Sequence, residues 1–315
     1  MARLLDFILG HQEIIQKIVD SFDSGKPGQT FLFVGPNGIG KKQTALGFAQ
    51  ALLCPRTTKG CGQCSSCLRM MQRVHEGLKV VDLEGAPIKI EHAREIIEFL
   101  SLKSLTTHRV IIIDQAQNLN PQAANALLKT LEEPPEGTFF FLTAPSASAL
   151  LPTIRSRSRI VQFKPLKAED LAKKVKAPAW ALKSAGGSFS KLAQLQEGPE
   201  QEIRQKAVEI LSLFLQDQDF VLNENWRSEF KDRSQAQRLM AYWISFLRDA
   251  VYFQEGCKDQ IVNMDQGTLL KVLAENSRDF LLTMTQKALQ VERAFASNRD
   301  SQLVMEEFHL SLKEQ

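Results

Sequence analysis

Three short stretches of the chain are apolar without polar alternation, and they set the expected architecture. They are QTFLFV at 29–34, VIII at 110–113 and FFFLT at 139–143. Strands of this composition are covered on both faces, which is typical of a parallel sheet between helices. A glycine-rich turn and a helix-like stretch follow the first run, and a second helix-like stretch, Pro121 to Glu133, ends at Pro134-Pro135 before the third. The pattern predicts an α/β fold with helices on both faces of a parallel sheet.

The strand signal disappears after Phe163, and the rest of the chain has the periodicity of helices. Short helices are expected over residues 168–195, interrupted by Pro178 and by Gly186-Gly187. From Glu202 onward, apolar residues recur at helical spacing, which predicts an all-helical C-terminal region. These positions are Ile203, Ala207, Ile210, Leu211, Phe214, Leu239, Trp243, Phe246, Leu247, Ala250, Val251, Leu289, Ala296, Leu303 and Phe308.

The length of 315 residues exceeds the roughly 250–300 residues that one hydrophobic core usually holds. We predict an α/β domain over residues 1–165, a small helical lid domain over 166–201 and a helical domain over 202–315. The apolar fraction of 43% and the charged fraction of 24% are typical of globular proteins. No apolar run reaches the roughly 18 residues of a membrane span, and Asp6 interrupts the start before a signal-peptide core could form. The expected location is the cytoplasm, with no membrane partner.

The net charge of +3 gives no reason to expect a large surface for nucleic acid. Affinity for phosphate backbones requires clustered lysine and arginine rather than a small excess of them. Any contact of this chain with DNA is therefore expected to be local.

Residues Gly35 to Lys41 satisfy the pattern GxxxxGK of a phosphate-binding loop. In such a loop, backbone N–H groups surround phosphate at a helix N-terminus, and the lysine reaches the outer phosphates. The loop follows an apolar strand and precedes a helix, and a later strand ends in an aspartate, as in P-loop folds. The candidate nucleotide-binding residues are Gly35, Gly38, Gly40, Lys41 and Asp114.

Two residues depart from the chemistry of ATP hydrolysis. Lys42 stands where a serine or threonine hydroxyl would coordinate magnesium, and Thr44 is turned about 200° away along the helix. Gln115 follows Asp114 where a glutamate would assist the attacking water, and an amide cannot accept a proton. The alternative for this second segment is an ordinary buried strand that ends in aspartate. We expect weak ATP binding or none, and no hydrolysis by the chain alone.

Four cysteines with the spacing Cys54-x6-Cys61-x2-Cys64-x2-Cys67 can surround one zinc ion. Because protein supplies all four ligands, no position is left for a catalytic water, and the zinc would be structural. An iron–sulfur cluster or unmetallated thiols in a reducing compartment are the alternatives. The lone Cys257 is expected to be a buried apolar residue.

Several segments within residues 6–163 are close to the signatures of one family. They are NALLKTLEEPP at 125–135, LLPTIRSRS at 150–158, IEHAREI at 90–96 and His75. They resemble the clamp-loader branch of the AAA+ ATPases, in particular the loader of bacterial DNA polymerase III. The second segment is similar to the family's SRC motif with Ser158 in place of cysteine, whereas Glu76-Gly77 departs from the usual Pro-Asp. A weaker C-terminal resemblance rests on Ala296-Ser297-Asn298 and residues 303–308, where a self-contained helical bundle is the alternative.

The resemblance implies a role for Arg157 in the active site of another subunit. In the family, the SRC arginine reaches the ATP of the neighbouring subunit, where a guanidinium stabilises the transferring phosphoryl group. The alternative for Arg155, Arg157 and Arg159 is a solvated, basic strand end. Ser190 stands where active members carry an arginine that contacts their own nucleotide, so a third catalytic element is missing. The resemblance therefore implies a non-hydrolysing, stator-like subunit with a retained arginine finger.

The resemblance also implies a fold, a cofactor and partners. The fold is a P-loop AAA+ domain with a structural zinc module inserted at about residues 54–67, a small helical lid and C-terminal helices that join a pentameric collar. The partners are the gamma/tau ATPase subunits and the delta subunit, and, through the complex, the sliding clamp and primed DNA in the bacterial cytoplasm. The competing hypotheses are an ATP-hydrolysing loader subunit or related AAA+ ATPase, and a DNA-binding adaptor outside replication.

Overall fold

The computed structural model describes residues 3–22, 29–103, 106–216, 224–297 and 299–313. The chain forms two units, Met1–Lys176 with Gly186–Lys191, and Ala177–Ala185 with Leu192–Gln315. The division into three domains with boundaries at 165 and 201 stays a prediction. Asn298, part of the C-terminal resemblance, lies outside the described residues.

The first unit alternates strands and helices around one sheet. Its strands are β1 (Gln29–Val34), β2 (Leu78–Val81), β3 (Arg109–Ile113), β4 (Thr138–Ala144) and β5 (Arg159–Gln162). Its helices are α1 (Gln12–Phe22), α2 (Lys41–Leu53), α3 (Ser65–Met71), α4 (Ile90–Ser101), α5 (Pro121–Glu132), α6 (Pro152–Arg155) and α7 (Ala168–Lys174). The strands form a five-stranded parallel sheet in the order β2-β3-β4-β1-β5, which confirms the predicted α/β class.

Successive side chains of the central strands enter two separate apolar layers. Phe31 and Phe33 of β1 pack on one face with residues such as Phe48 of α2. Leu32 and Val34 lie on the other face, in the layer that contains the buried side chains of α4 and α5. Because both faces are covered, β1 shows a continuous apolar run in the sequence instead of an alternating one.

The two edge strands carry a weaker signal, and the apolar pattern did not reveal them. β2 and β5 have four residues each and lie at opposite edges of the sheet. The side chains of β5 are exposed or half-buried along its whole length. A short strand with a solvated side needs no continuous apolar run, so the central strands were easier to predict.

The second unit is helical. Its helices are α8 (Ala179–Ser184), α9 (Phe189–Leu195, whose first residues belong to the first unit), α10 (Gly198–Gln216), α11 (Arg233–Gln254), α12 (Gly267–Ala274), α13 (Arg278–Ala296) and α14 (Ser301–Lys313). Trp243, Phe246 and Phe308 are buried as their helical spacing suggests. Leu289 and Leu303 differ, with 38% and 58% of their surface exposed. Both leucines lie in helices as their spacing predicts, but their side chains face away from the core of the unit.

The prediction that Cys257 is a buried apolar residue is wrong, because this side chain is exposed. Cys257 lies in the turn after α11, where Gly256 adopts a φ of 72° and the Cys257 N–H donates to Tyr252 O at 2.9 Å. Turns run over the protein surface, and this one leaves the Cys257 side chain in solvent. Among the described residues, none of the helices combines the length and apolarity needed to span a bilayer.

Candidate functional site

The phosphate loop lies at the carboxyl end of β1 and leads into α2. At Gly35 any side chain is excluded, because a Cβ would lie 2.4 Å from the carbonyl oxygen of Phe163. Gly40 precedes α2 with a φ of 96°, a conformation that glycine adopts without steric cost. The Lys41 ammonium donates to the carbonyl oxygens of Gly35 and Pro36 at 2.6 Å each, and burial lowers its pKa. The backbone thus has the form of a phosphate loop, with its lysine bonded to the carbonyls of the loop.

Lys42 lies between two carboxylates at the carboxyl ends of neighbouring strands. Its ammonium pairs with Asp82, which follows β2, and lies 3.5 Å from the carboxylate of Asp114, which follows β3. The side chains of Lys42 and Asp114 are only 25% and 15% exposed, so water screens their attraction weakly. The ammonium therefore acts as a cation held by two carboxylates at the mouth of the phosphate loop.

Thr143 fixes the orientation of Asp114 from the end of β4. The Thr143 hydroxyl donates to Asp114 Oδ1 at 2.5 Å and accepts the backbone N–H of Gln115 at 2.9 Å. Gln115 has a left-handed backbone, with φ of 53°. Thr44 is fully buried, and its hydroxyl donates to the carbonyl oxygen of Gly40 at 2.9 Å. Thr44 is therefore engaged within α2 and supplies no hydroxyl to the Asp114 carboxylate.

A cavity of about 570 Å³ opens at this end of the sheet. The loop 186–191 borders it and is tied to the phosphate loop, because the Phe189 N–H donates to Gly38 O at 2.8 Å. A Cβ on Gly38 would lie 1.8 Å from the Ser190 hydroxyl, so only glycine fits this contact. Residues predicted for the site line part of this cavity: Gly38, Gly40, Lys41, Lys42, Asp114, Gln115 and Ser190. Phe7, Leu9 and Phe189 give it an apolar wall.

Arg157 lies just after α6, beside the end of α5, and outside this cavity's lining. Its Nε and Nη2 atoms donate to Glu132 Oε2 at 3.0 and 2.8 Å, and Nη1 donates to Thr153 O at 3.1 Å. The Arg157 side chain is 29% exposed, whereas the side chains of Arg155 and Arg159 are more exposed to solvent. The guanidinium of Arg157 is thus at the surface but held in one direction.

The four clustered cysteines come together after α2. Their Sγ atoms all lie within 4.8 Å of one another, with Cys54 and Cys64 4.0 Å apart and Cys61 and Cys67 3.9 Å apart. Zinc–sulfur bonds of about 2.3 Å in a tetrahedron place sulfurs about 3.8 Å apart, so the cluster fits one ion. The backbone N–H of Gln63 is the main reason that the pKa of Cys61 is lowered to about 6, which favours a thiolate at neutral pH.

Ser66 and His75 connect this cysteine module to the sheet. The Ser66 hydroxyl donates to Leu53 O at 2.6 Å and lies 2.8 Å from His75 Nε2, while the Gly77 N–H donates to His75 Nδ1 at 2.9 Å. Because Nδ1 accepts a hydrogen bond, we assign the ring proton to Nε2. Burial lowers the pKa of His75, which keeps the ring neutral in this network. His75 therefore has a structural role here.

Sequence reasoning missed three residues that contact the predicted site residues. Asp82 and Thr143 each stand at or just after the carboxyl end of a strand, next to the strand that ends in Asp114. A polar residue at the end of an apolar run, as in FFFLTA, is a signal that could have pointed to Thr143. Glu132 lies within the segment NALLKTLEEPP, but nothing in that segment indicates Arg157 as its partner.

Family comparison covers most of the chain in two parts. The sequence model of the family described as DNA polymerase III, delta subunit matches residues 10–167. The model described as DNA polymerase III, delta subunit, C terminal matches residues 199–314. The first match contains the phosphate loop, the cysteine cluster and Arg157, and the second contains most of the helical unit.

Individual proteins show the same relationship over longer alignments. The DNA polymerase III subunit delta′ of Bacillus subtilis (strain 168) is 25% identical over 314 residues, which cover 96% of this chain and 95% of that protein. The delta′ subunit of Escherichia coli (strain K12) is 28% identical over 276 residues, or 83% of this chain and 80% of that protein. The crystal structure of a DNA polymerase III gamma subunit-related protein from Thermotoga maritima superposes with a TM-score of 0.54 at 17% identity, covering 95% of this chain and 98% of that one. This structural likeness concerns the fold alone.

Proposed function

The chain belongs to the DNA polymerase III delta′ family, and on this basis we propose that it acts in the clamp loader without hydrolysing ATP and lends Arg157 to a neighbouring ATP site. Its own phosphate loop is retained as structure. Its catalytic contribution lies in the active site of another subunit. The observation that carries this proposal is the contact of Lys42 with Asp82 and Asp114.

That contact argues against hydrolysis in the chain's own site. Magnesium bridges the phosphates of ATP and needs the hydroxyl after the P-loop lysine together with a strand-end carboxylate. Here an ammonium replaces the hydroxyl and already neutralises Asp114. Gln115 cannot take a proton from water, and Ser190 offers no cation to the phosphates. We therefore propose that ATP binds this chain weakly or not at all, and that magnesium adds little affinity.

The surroundings of Arg157 support its role in trans. The residue is the arginine of the SRS segment (156–158) that resembles the family's SRC motif, and its side chain lies at the surface, away from the lining of the chain's own cavity. A guanidinium presented to a neighbour's ATP can stabilise the charge on the transferring phosphoryl, an effect worth about 10³–10⁵-fold in related chemistry. The implied neighbours are the gamma/tau ATPase subunits.

The test is ATP hydrolysis and clamp loading by complexes reconstituted with Arg157→Ala, with assembly checked by gel filtration. Substitution of a surface arginine should change stability by no more than about 0.5 kcal/mol in most contexts, so assembly should persist. Hydrolysis and loading stimulated by clamp and primed DNA should slow. The isolated wild-type chain should hydrolyse no ATP above background. Normal rates in a fully assembled Arg157→Ala complex would refute the role in trans, and turnover by the isolated chain would favour an ATP-hydrolysing subunit instead.

We also propose that the ion held by the cysteine cluster is zinc and that its role is structural. The four sulfurs are spaced for a tetrahedral ion, and three backbone N–H groups donate to them at 3.3–3.4 Å. Such contacts stabilise thiolates, the form that binds metal. With no open coordination position, the ion would hold the segment between α2 and α3 in place and take no part in ATP chemistry.

The partners of the helical unit are proposed from its surface. Four leucines on α13 and α14 are 38–58% exposed: Leu282, Leu289, Leu303 and Leu310. Within each helix the two leucines are seven residues apart and therefore share one face. We propose that they pack against helices of the gamma/tau and delta subunits in a collar. Leu303→Asp with Leu310→Asp should weaken assembly in gel filtration, whereas Leu102→Asp, at a leucine 61% exposed in the first unit, should not.

A further inference from the structure

We infer that Glu132 is a positioning residue for Arg157: it holds the guanidinium in the direction from which a neighbouring ATP is reached. This inference rests on the proposed role of Arg157 in trans. It adds a second residue of this chain to the neighbour's active site, one that touches no substrate and acts through the arginine alone.

Both residues are attached to well-buried parts of the fold. Glu132 is the last residue of α5, directly after Leu131, which is only 2% exposed. Arg157 follows α6, and its backbone N–H donates to the carbonyl oxygen of Ile154, a residue 1% exposed, at 3.2 Å. Leu131 and Ile154 belong to the same apolar layer on one face of the sheet. The carboxylate and the arginine therefore start from backbone positions that cannot move far relative to each other.

The pattern of hydrogen bonds leaves the guanidinium partly free. Nε and Nη2 both donate to one oxygen of Glu132, and Nη1 donates to Thr153 O, with a longer contact of 3.5 Å to the Ser156 hydroxyl. A guanidinium has five N–H groups, so these four contacts leave a donor for a ligand outside the chain. Glu132 thus holds the guanidinium through Nε and one N–H of Nη2, and the second N–H of Nη2 is left for a ligand.

Holding the arginine in advance has a kinetic consequence. An arginine side chain samples many rotamers, and a catalytic group accelerates a reaction most when its orientation is set before the transition state forms. The Glu132 carboxylate is 56% exposed, so solvent screens its charge and the guanidinium keeps its attraction for phosphate. Loss of Glu132 should therefore lower the turnover of the neighbouring site while leaving its affinity for ATP unchanged.

The experiment uses complexes reconstituted with Glu132→Ala, Glu132→Gln, Arg157→Ala or the double variant, and measures kcat and KM for ATP with clamp and primed DNA present. We expect Glu132→Ala to lower kcat at the neighbouring site roughly 10-fold, with KM unchanged. Glu132→Gln keeps an oxygen acceptor and should recover part of the rate. In the Arg157→Ala background, Glu132→Ala should have no further effect. Glu133→Ala, at the adjacent exposed carboxylate, is the matched control and should behave as wild type.

The other outcomes separate a failure of the positioning role of Glu132 from a failure of the role of Arg157 in trans. If Arg157→Ala slows hydrolysis but Glu132→Ala does not, Glu132 has no positioning role, and the proposed function stands. A faster Glu132→Ala complex would overturn the inference, because the carboxylate would then restrain the arginine. Equal losses from Glu132→Ala with and without Arg157 would overturn it too, because the effect would not pass through the arginine. If Arg157→Ala itself changes nothing, the proposed function fails, and this inference fails with it.

Discussion

Replacing Lys42 by threonine should turn the two carboxylates beside it into a site for a divalent cation. In the native chain the ammonium pairs with Asp82 and lies 3.5 Å from Asp114. Threonine removes this charge and supplies the hydroxyl that phosphate loops use to hold magnesium. Thr143 still donates to Asp114 and keeps that carboxylate oriented. Two carboxylates and a hydroxyl are oxygen ligands that Mg²⁺ and Mn²⁺ prefer.

The ion pair also sets the expected cost of the substitution. At 3.5 Å and an effective dielectric constant of about 20, the attraction between Lys42 and Asp114 is about 5 kcal/mol. Desolvation offsets most of it, and hydrogen bonds to charged groups contribute about 1.5–3 kcal/mol net. For a unit of about 150–250 residues, the melting temperature should fall by about 3–12 °C. A metal at ten times its Kd would restore about 1.4 kcal/mol, or about 3–6 °C.

The assay is thermal unfolding of the wild-type and Lys42→Thr chains with and without Mg²⁺ or Mn²⁺. The wild type should melt at the same temperature in both conditions, and the variant should melt lower and recover with metal. Lys79→Thr removes an exposed pair with Glu95 at 2.8 Å and serves as control, with a loss of no more than about 1 kcal/mol and no response to metal. Calorimetry should find no tight, magnesium-dependent ATP binding to the wild type.

Two results would refute this reasoning. A Lys42→Thr chain as stable as the wild type, with no response to Mn²⁺, would mean that the ammonium does not balance Asp82 and Asp114. Micromolar, magnesium-dependent ATP binding by the wild type would mean that Lys42 does not displace the metal. The variant should still hydrolyse no ATP, because Gln115 and Ser190 are unchanged.

Three further predictions concern the cysteines, the histidines and Arg157. Elemental analysis should find about one zinc per chain, and a chelator should lower the melting temperature; iron, or no metal in freshly purified protein, would contradict this. Arg157→Lys should restore little of the activity lost in Arg157→Ala complexes, because an ammonium lacks the planar fork; a fully active lysine complex would contradict it. The unfolding free energy should fall as the pH drops below about 6.5, because histidines of the unfolded chain take up protons that the buried, neutral rings do not; a flat profile in urea titrations from pH 7.5 to about 5.5 would contradict this. Burial is the largest cause of the lowered pKa of His11, His75 and His108.

Local sequence was enough for the central part of the fold and for the residues close together in the chain. The run QTFLFV followed by GPNGIGKK predicted a strand, a phosphate loop and a helix, because strand, turn and helix preferences act over a few neighbouring residues. The spacing of the cysteines predicted a cluster, since a knuckle of about fourteen residues can surround one ion without help from the rest of the fold. The burial of Cys257 could not be predicted from its residue type, because a turn places its side chain in solvent.

Only the tertiary structure decided which distant residues meet. Asp82 and Thr143 are about sixty residues apart in the chain, yet both reach the Lys42 and Asp114 contact, because β2, β3 and β4 are neighbours in a parallel sheet and their carboxyl ends open at the same edge. Glu132 meets Arg157 because the ends of α5 and α6 share one apolar layer. A sequence determines such elements one by one through local preferences. Their pairing depends on strand order and packing, which join residues that no local pattern connects.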